Sequence, residues 1–470
     1  MMHRFRLFCS LLLGLGFSGC QHYIPLPLNA KTVDQALTPP PQTALRIQAR
    51  ELKHPILKPV ELDERDGLTP DSAAVLAVLV NPNLRAIRDQ RGLADAQLLQ
   101  AGLLPNPQVS FDFSTPSFGN TAGTVNAYGI GLNWDVSRLI DRSARTQAAG
   151  LQRAAVDLDI AWQEWQVAEA AKSAVYRLVA LESQVRLSAE IERRLRENLD
   201  LVRRAVRDGQ MTALDLAAAE TASTQAHTAL LDLQKQANQQ RLELKRAIGL
   251  SADTPIRLHS AIELPARLDP PPASQLLQDL EQRRLDLVAL HRGYESQEET
   301  VRAEILTQFP KLNIGVNRQS DASNVGTIGL GVSINLPLFD RNQGTISRES
   351  ATRQKLFDEY VNRVFEARAE IARLLDNARA LNEQLKNRAA ARAGLELLVN
   401  TYRTAVGSGQ ADVLSYYTAW NNFTQNEIDL LSLKQELIQT SVALELASGL
   451  YRLDALSAPP AAGAAPIKER

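Results

Sequence analysis

The sequence predicts a mainly α-helical protein with a membrane β-barrel contribution, built by tandem duplication of a long helical hairpin and a pair of β-strands. Three observations predict it. Ala367, Ile371, Leu374, Ala378, Leu381 and Leu385 recur at alternating steps of four and three, and Leu395, Val399, Tyr402 and Val406 resume the phase. Such a seam buries against neighbouring helices in a left-handed supercoil. No proline falls between Pro337 and Pro459, so a helix over 345–406 runs unbroken, about 90 Å long at 1.5 Å per residue. Subtracting 200 returns the same seam as Ala171, Ala174, Leu178, Leu181, Val185, Leu195, Leu199, Val202 and Val206, with Ser188 and Glu192 where Arg388 and Arg392 interrupt the later copy. The flanking features keep the offset, which marks an internal repeat. Finally, four segments switch from helical period to period two.

The chain has 470 residues, with 52 Lys and Arg against 53 Asp and Glu and a formal net charge of −1. That balance carries no electrostatic footprint for nucleic acid. At the amino terminus an apolar run over 7–17 follows His3, Arg4 and Arg6. It is too short to span a bilayer and reads as a secretory signal peptide, 1–19. An arm over 20–67 follows, in which Pro25, Pro27, Pro39, Pro40, Pro41, Pro55 and Pro59 predict extended chain.

The first repeat, 68–250, opens on a helix capped by Thr69 with Pro70 in its first turn. Asn81-Pro82 interrupts it, and a second helical piece runs towards Pro105. Strands are expected at about 107–115, where Val109, Phe111 and Phe113 alternate with Ser110, Asp112 and Ser114. A second is expected at about 125–137, where Tyr128, Ile130, Leu132, Trp134 and Val136 alternate with Gly129, Gly131, Asn133 and Asp135. One face is greasy and the other polar or small. In a sandwich the greasy face would be core, whereas in a barrel it meets lipid; strands of roughly ten residues with no further strand nearby favour the barrel. A long helix over 142–206 ends at Gly209, and a return helix over 213–248 stops at Gly249.

A proline-rich linker over 251–273 leads to the second repeat, 274–450. Its ascending helix is expected over 274–308, without a proline at the place of Pro82. Strands follow at about 311–318 and 326–337, then the long helix, the reversal at Gly409 and the stop at Gly449. The Ala- and Pro-rich tail, 451–470, is expected to be disordered.

Leu68-Thr69, then Asn81-Pro82-Asn83-Leu84-Arg85-Ala86, then Ala101-Gly102-Leu103-Leu104-Pro105-Asn106-Pro107 resemble the opening of the TolC-like outer-membrane efflux proteins. The similarity extends to about Leu450. Leu336-Pro337-Leu338-Phe339-Asp340-Arg341-Asn342-Gln343-Gly344 resembles most closely the members serving heavy-metal efflux. Leu15-Gly16-Phe17-Ser18-Gly19-Cys20 resembles a bacterial lipoprotein box, which implies acylation of Cys20, and Gln21 after it implies sorting to the outer membrane. Four strands cannot close a transmembrane barrel, and eight would leave no open lumen, so at least three chains are needed. The resemblance selects a homotrimer with a 12-stranded barrel continued by an α-helical tube into the periplasm of a Gram-negative bacterium. It further implies a periplasmic adaptor and an inner-membrane pump, of the proton-driven resistance-nodulation-division type, as partners. The cargo is expected to be heavy-metal cations or small toxic compounds. Protein secretion through the same tube and a coiled-coil adhesin are the alternatives.

No enzyme is expected. His3, His22, His54, His227, His259 and His291 share no ligand spacing, no nucleophile or phosphate-loop pattern occurs, and neither metal nor cofactor is implied. The candidate functional residues lie at the hairpin tips. The resemblance implies an aspartate shortly after the turn glycine: Asp215 fits that place after Gly209, whereas Ser415 holds it in the second copy and Asp412 lies nearer Gly409. Asp412 could form an acidic ring at a gate, paired with Arg207 or Arg403, or could simply cap the return helix.

Overall fold

The structure, a computed structural model, describes residues 22–62 and 66–450; the expected signal peptide, Cys20 and the tail after 450 lie outside them. The arm is not extended throughout. A first compact unit, ending at Pro41, contains helix α1 (Ala30–Leu37). Asn29 and Thr32 cap α1 reciprocally, each side chain bonding the other's backbone amide. The remainder of the chain forms a second unit, opening with α2 (Gln42–Arg50), whose Leu45 and Ala49 are buried. Beyond α2, His54 Nδ1 accepts hydrogen bonds from the amides of Ile56 and Leu57, fixing a turn that seats Leu57 in the core.

The first repeat comprises α3 (Pro70–Val80), α4 (Pro82–Gly102), β1 (Gln108–Ser114), β2 (Ala127–Asp135), α5 (Arg138–Arg207) and α6 (Ala213–Ile248). α3 is an Ala- and Val-rich helix buried almost all round, which its composition allows because it sits between α5 and α6. Asn81 ends α3 and caps α4: its Oδ1 accepts from the Asn83 amide at 2.9 Å, and its Nδ2 donates to the Ala247 carbonyl at 2.9 Å. That carbonyl belongs to the last turn of α6. Gly249 follows at φ +94°, and a Cβ there would stand 2.6 Å from the Asn81 Cα, so both torsion and close approach demand glycine.

The second repeat departs at its start. The ascending helix expected over 274–308 is three pieces, α7 (Ala273–Leu277), α8 (Leu280–Arg283) and α9 (Leu285–Leu306). Asp279 adopts φ +52° between the first two. The break before α9 is set by Arg284, which holds Asp286 through two hydrogen bonds of 2.9 and 3.1 Å and donates to the Ala447 carbonyl. Arg284 thus ties the start of α9 to the last turn of the return helix as Asn81 ties α4, although its side chain bonds no first-turn amide. Gly449 packs on the Arg283–Arg284 peptide as Gly249 packs on Asn81. These helix-capping positions lie 203 residues apart, so the offset of 200 fails in the ascending helices and is restored only after the shorter turn between strands three and four.

β3 (Lys311–Ser320) and β4 (Gly326–Asn335) follow, then α10 (Gln343–Gly407) and α11 (Val413–Ser448). The four strands form one antiparallel sheet in sequence order, leaving one edge of β1 and one edge of β4 unpaired. α5 is the spine: it packs against α3, α4, α6, α9 and α11. Trp162 and Trp165 meet edge to face, with centroids 5.5 Å apart, in the cluster with Val78 and Leu84. The linker lies on the helices. Leu68 and Leu258 form a parallel bridge, and Asn382 on α10 bonds both the amide and the carbonyl of Leu268.

The Leu336–Gly344 segment turns the chain from strand to helix. Asn342, at φ +61°, donates to the Glu304 carbonyl and carboxylate at 3.0 and 2.7 Å, tying the start of α10 to the end of α9. Asp340 accepts from the Asn342 amide. Those residues therefore have a local structural reason to be present.

Candidate channel wall and hairpin tips

The sheet separates the two residue classes cleanly. On one face, the rows Val109–Leu132–Val316–Leu330 and Trp134–Ile314–Val332 run across the strands. Val109, Leu132, Val316, Ile314, Val332 and Leu330 are all exposed in the single chain, Leu330 at 86 %. The opposite face carries Gln108–Asn133–Gly315–Gly331 and Ser110–Gly131–Asn317–Gly329. Here amides lie over glycines: a Cβ at Gly315 would collide with Asn133 Oδ1, and one at Gly329 with Asn317 Oδ1. The side-chain carboxamides therefore lie flat, which gives a thin, polar wall whose charged members are Asp112, Asp135 and Lys311. On the apolar face, Trp134 closes the helix end of the sheet, its Nε1 donating to the Pro105 carbonyl at 2.8 Å.

At the other extreme, each long helix reverses through a glycine, Gly209 at φ +73° and Gly409 at φ +71°. In the first tip Thr212 caps α6, accepting from the Asp215 amide, while Asp215 accepts from the Thr212 amide at 2.9 Å and from its hydroxyl at 2.6 Å. The second tip uses the same pair of positions in reverse. Asp412 caps α11, accepting from the Ser415 amide at 2.7 Å and hydroxyl at 2.9 Å. The Ser415 amide holds the Asp412 carboxyl below the ordinary aspartate range. In the single chain Asp412 is thus the cap of α11, and Asp215 the reciprocal partner of the Thr212 cap. Asp412 stays exposed, and neither Arg207 nor Arg403 forms an ion pair with it among the described residues. Behind the tips, Ile191, Leu195, Leu199 and Val202 of α5 pack with Ala219, Val413 and Tyr417. Arg388 and Arg392, which interrupt the later seam, reach across to Asp429 and Glu427 of α11 at 2.9 Å each.

Two buried charged groups escaped the sequence reading. Lys172 on α5 bonds Glu445 on α11 and lies 3.7 Å from Glu169, whose other oxygen accepts from Trp165 Nε1 at 2.9 Å. Burial pushes Glu445 up to about 8 and raises Glu169, although Lys172 opposes both shifts. Burial alone would lower Lys172, but Glu169 and Glu445 outweigh it and hold it above the ordinary lysine value. Arg284 lies in the second group, with Asp286 and Arg363, 5.1 Å over the Trp162 ring. Both groups join the first repeat to the second or lock the ascending helix of the second. The available signal was a charge on an alanine stripe, with Glu169 and Lys172 between Ala168, Ala171 and Val175.

Among the described residues no helix is long and apolar enough to cross a membrane, and no group of His, Cys, Asp or Glu is placed to hold a metal ion. A sequence model described as "Outer membrane efflux protein" matches residues 74–250 and 276–450. The chain belongs to the outer membrane efflux protein family. The two matched segments correspond to its two copies of strand pair and hairpin. Among curated relatives in this family's range, the chain is 24 % identical over 387 residues to the cobalt-zinc-cadmium resistance protein CzcC of Cupriavidus metallidurans, covering 80 % of this chain and 89 % of that one. It is 25 % identical over 338 residues to protein CyaE of Bordetella pertussis, covering 68 % of each. Its fold is similar to that of CusC, at TM-score 0.68 and 18 % identity over 83 % of this chain and 95 % of that one. The outer membrane protein VceC of Vibrio cholerae gives TM-score 0.68 and 18 % identity over 81 % and 96 %. The outer-membrane channel OprN gives 0.69 and 16 % over 92 % and 98 %. This outer membrane efflux protein is thus a mainly helical chain with a four-stranded sheet, the fold of those solved structures.

Proposed function

We propose that this chain is one third of a passive outer-membrane conduit in a tripartite efflux system, and not an enzyme. One observation carries the reading: an open four-stranded sheet with an exposed apolar face, a glycine and carboxamide face, and two unpaired edges. β1 and β4 run in opposite directions, so β4 of one copy can pair antiparallel with β1 of the next. Such a head-to-tail contact closes into a ring, and closure alone removes the edges and lets every strand amide be satisfied in lipid. Three copies give twelve strands around the polar wall. The apolar face then meets the bilayer, and the hairpins extend from the barrel towards a periplasmic adaptor and a proton-driven inner-membrane pump. Cys20 supplies the lipid anchor. The cargo is heavy-metal cations, with small toxic compounds as the second class; similarity to a cobalt-zinc-cadmium resistance protein supports the metals. Selectivity belongs to the pump, since among the described residues no group of His, Cys, Asp or Glu is placed to hold a metal ion.

Native mass spectrometry in mild detergent tests the assembly: a trimer is expected, and a monomer would defeat the reading. Cells lacking the protein are expected to become sensitive to cobalt, zinc or cadmium; sensitivity to organic toxicants alone would replace the cargo. Cys20→Ser is expected to abolish lipid labelling. At the tips, we further propose that three Asp412 side chains form an acidic ring in addition to capping α11. Asp412→Asn is then expected to change cation selectivity or open the resting channel in planar bilayers. A change confined to thermal stability leaves Asp412 as a cap only.

A further inference from the structure

One outward position of the sheet breaks the apolar pattern. β3 is an inner strand, paired by β2 on one side and β4 on the other. Along it, Leu312, Ile314 and Val316 point to the apolar face, and the next position on that face is Arg318. The register places Arg318 directly between Ile130 and Ile328, in the row that begins with Phe111. Directly paired residues share a face. Its diagonal neighbours are Tyr128, Leu132, Gly326 and Leu330, with Val316 and Ser320 along its own strand.

That surrounding ring contains no carboxylate. Asp112 lies in an adjacent row, paired with Gly129 on the opposite face, and Asp321 in the β3–β4 turn accepts from the Ser323 and Val325 amides at 2.9 Å each. Arg318 is exposed and has no side-chain partner among the described residues. A neighbouring copy does not help. It would add beyond β4 through its own β1, whose outward residues Val109, Phe111 and Phe113 are all apolar. The counter-charge therefore has to come from the membrane.

Position says which part of the membrane. Arg318 is two residues from the end of β3 that leads into the turn, opposite the end where the helices attach. A charge on a lipid-facing strand is tolerated near the interface and costly at the midplane, and arginine reaches an interface by extending its stem over apolar neighbours. The planar guanidinium matches a phosphate through paired hydrogen bonds, and the diagonal Tyr128 supplies a hydroxyl donor within reach of the same group.

We infer that Arg318, assisted by Tyr128, is a binding site for a lipid phosphate at the turn end of the barrel, that of the phosphorylated glycolipid of the outer leaflet. The inference rests on the barrel reading. It is tested on the full-length trimer in phosphatidylcholine nanodiscs doped with diphosphorylated lipid A, by counting lipids retained per trimer in native mass spectrometry. Wild type is expected to retain lipid A, Arg318→Gln to retain it about tenfold less, and Arg318→Lys to fall between, because one ammonium cannot pair bidentately. Lipid A stripped of its phosphates is expected to bind like the Arg318→Gln sample. Equal retention by wild type and Arg318→Gln, or by phosphorylated and stripped lipid A, overturns the inference. Phosphatidylglycerol held as strongly as lipid A overturns the assignment to the outer-leaflet glycolipid. The oligomeric state in the same native mass spectra separates the two levels: a trimeric Arg318→Gln with wild-type lipid retention sinks this site alone, whereas a wild type that is monomeric sinks the barrel.

Discussion

α5 and α10 occupy equivalent places in the two copies and carry the same seam, yet they are buried very differently. α5 buries 23 of its residues, from Asp141 to Val202, whereas α10 buries eight, seven of them between Ala367 and Leu385. The difference is one of surroundings, because five other helices flank α5 while α10 meets α9, α11 and the short α7. α10 also exposes Phe357, Val361, Phe365 and Leu397. A shared heptad-like seam therefore specifies only one side of each helix; the first copy stabilises the chain, and the second leaves an apolar flank uncovered in the single chain, which the proposed trimer would cover.

The comparison breaks most readily at the spine. Trp165→Ala should cost about 3–5 kcal/mol of stability, since it empties a fully buried site with no room to relax; a variant unfolding in denaturant like wild type would refute the assignment of α5 as core. Phe365→Glu should act oppositely, leaving the helicity of the single chain unchanged by circular dichroism while abolishing the trimer in native mass spectrometry. A stable trimer would show that α10 keeps its exposed flank in the assembly.

The join between the two copies has a pH signature. Because Glu445 is raised to about 8 in the folded chain, the native state keeps a proton that the unfolded carboxyl loses near its ordinary value. The stability associated with that proton is complete below the unfolded value and falls as pH rises through about 8. Glu445→Gln should flatten this slope in melting curves measured between pH 5 and 9; an unchanged slope would remove Glu445 as its source. The smallest effect belongs to the tips. Thr212→Ala should cost about 1 kcal/mol and appear as faster amide exchange in the first turn of α6, with α11 unaffected.

Sequence periodicity made the hairpins legible because each long helix keeps one regular apolar seam, and the strands were legible because one face of the sheet is apolar and the other polar or small, which imposes period two. The turn glycines were readable for the same local reason. The break at Arg284 was not. No proline or glycine marks it, and its cause is a guanidinium reaching Asp286 and the Ala447 carbonyl more than 160 residues away. The helices at Ala30–Leu37 and Gln42–Arg50 were hidden by flanking prolines that bound them rather than forbid them. At the tips, the sequence posed gate against cap; the structure supplies the capping partners Thr212 and Ser415, which a single chain can display, whereas a ring needs three.

The four positive-φ glycines that end the hairpin helices also divide into two kinds. Gly249 and Gly449 are walled in by the start of another helix, whereas nothing lies within 4 Å of a Cβ placed at Gly209 or Gly409. For protein engineering, this makes the two tips natural grafting points. A short tetracysteine or fluorophore-accepting insert after Gln210 or Gln410 displaces no side chain of the same chain, and paired labels there would report the spacing of the two hairpins during transport.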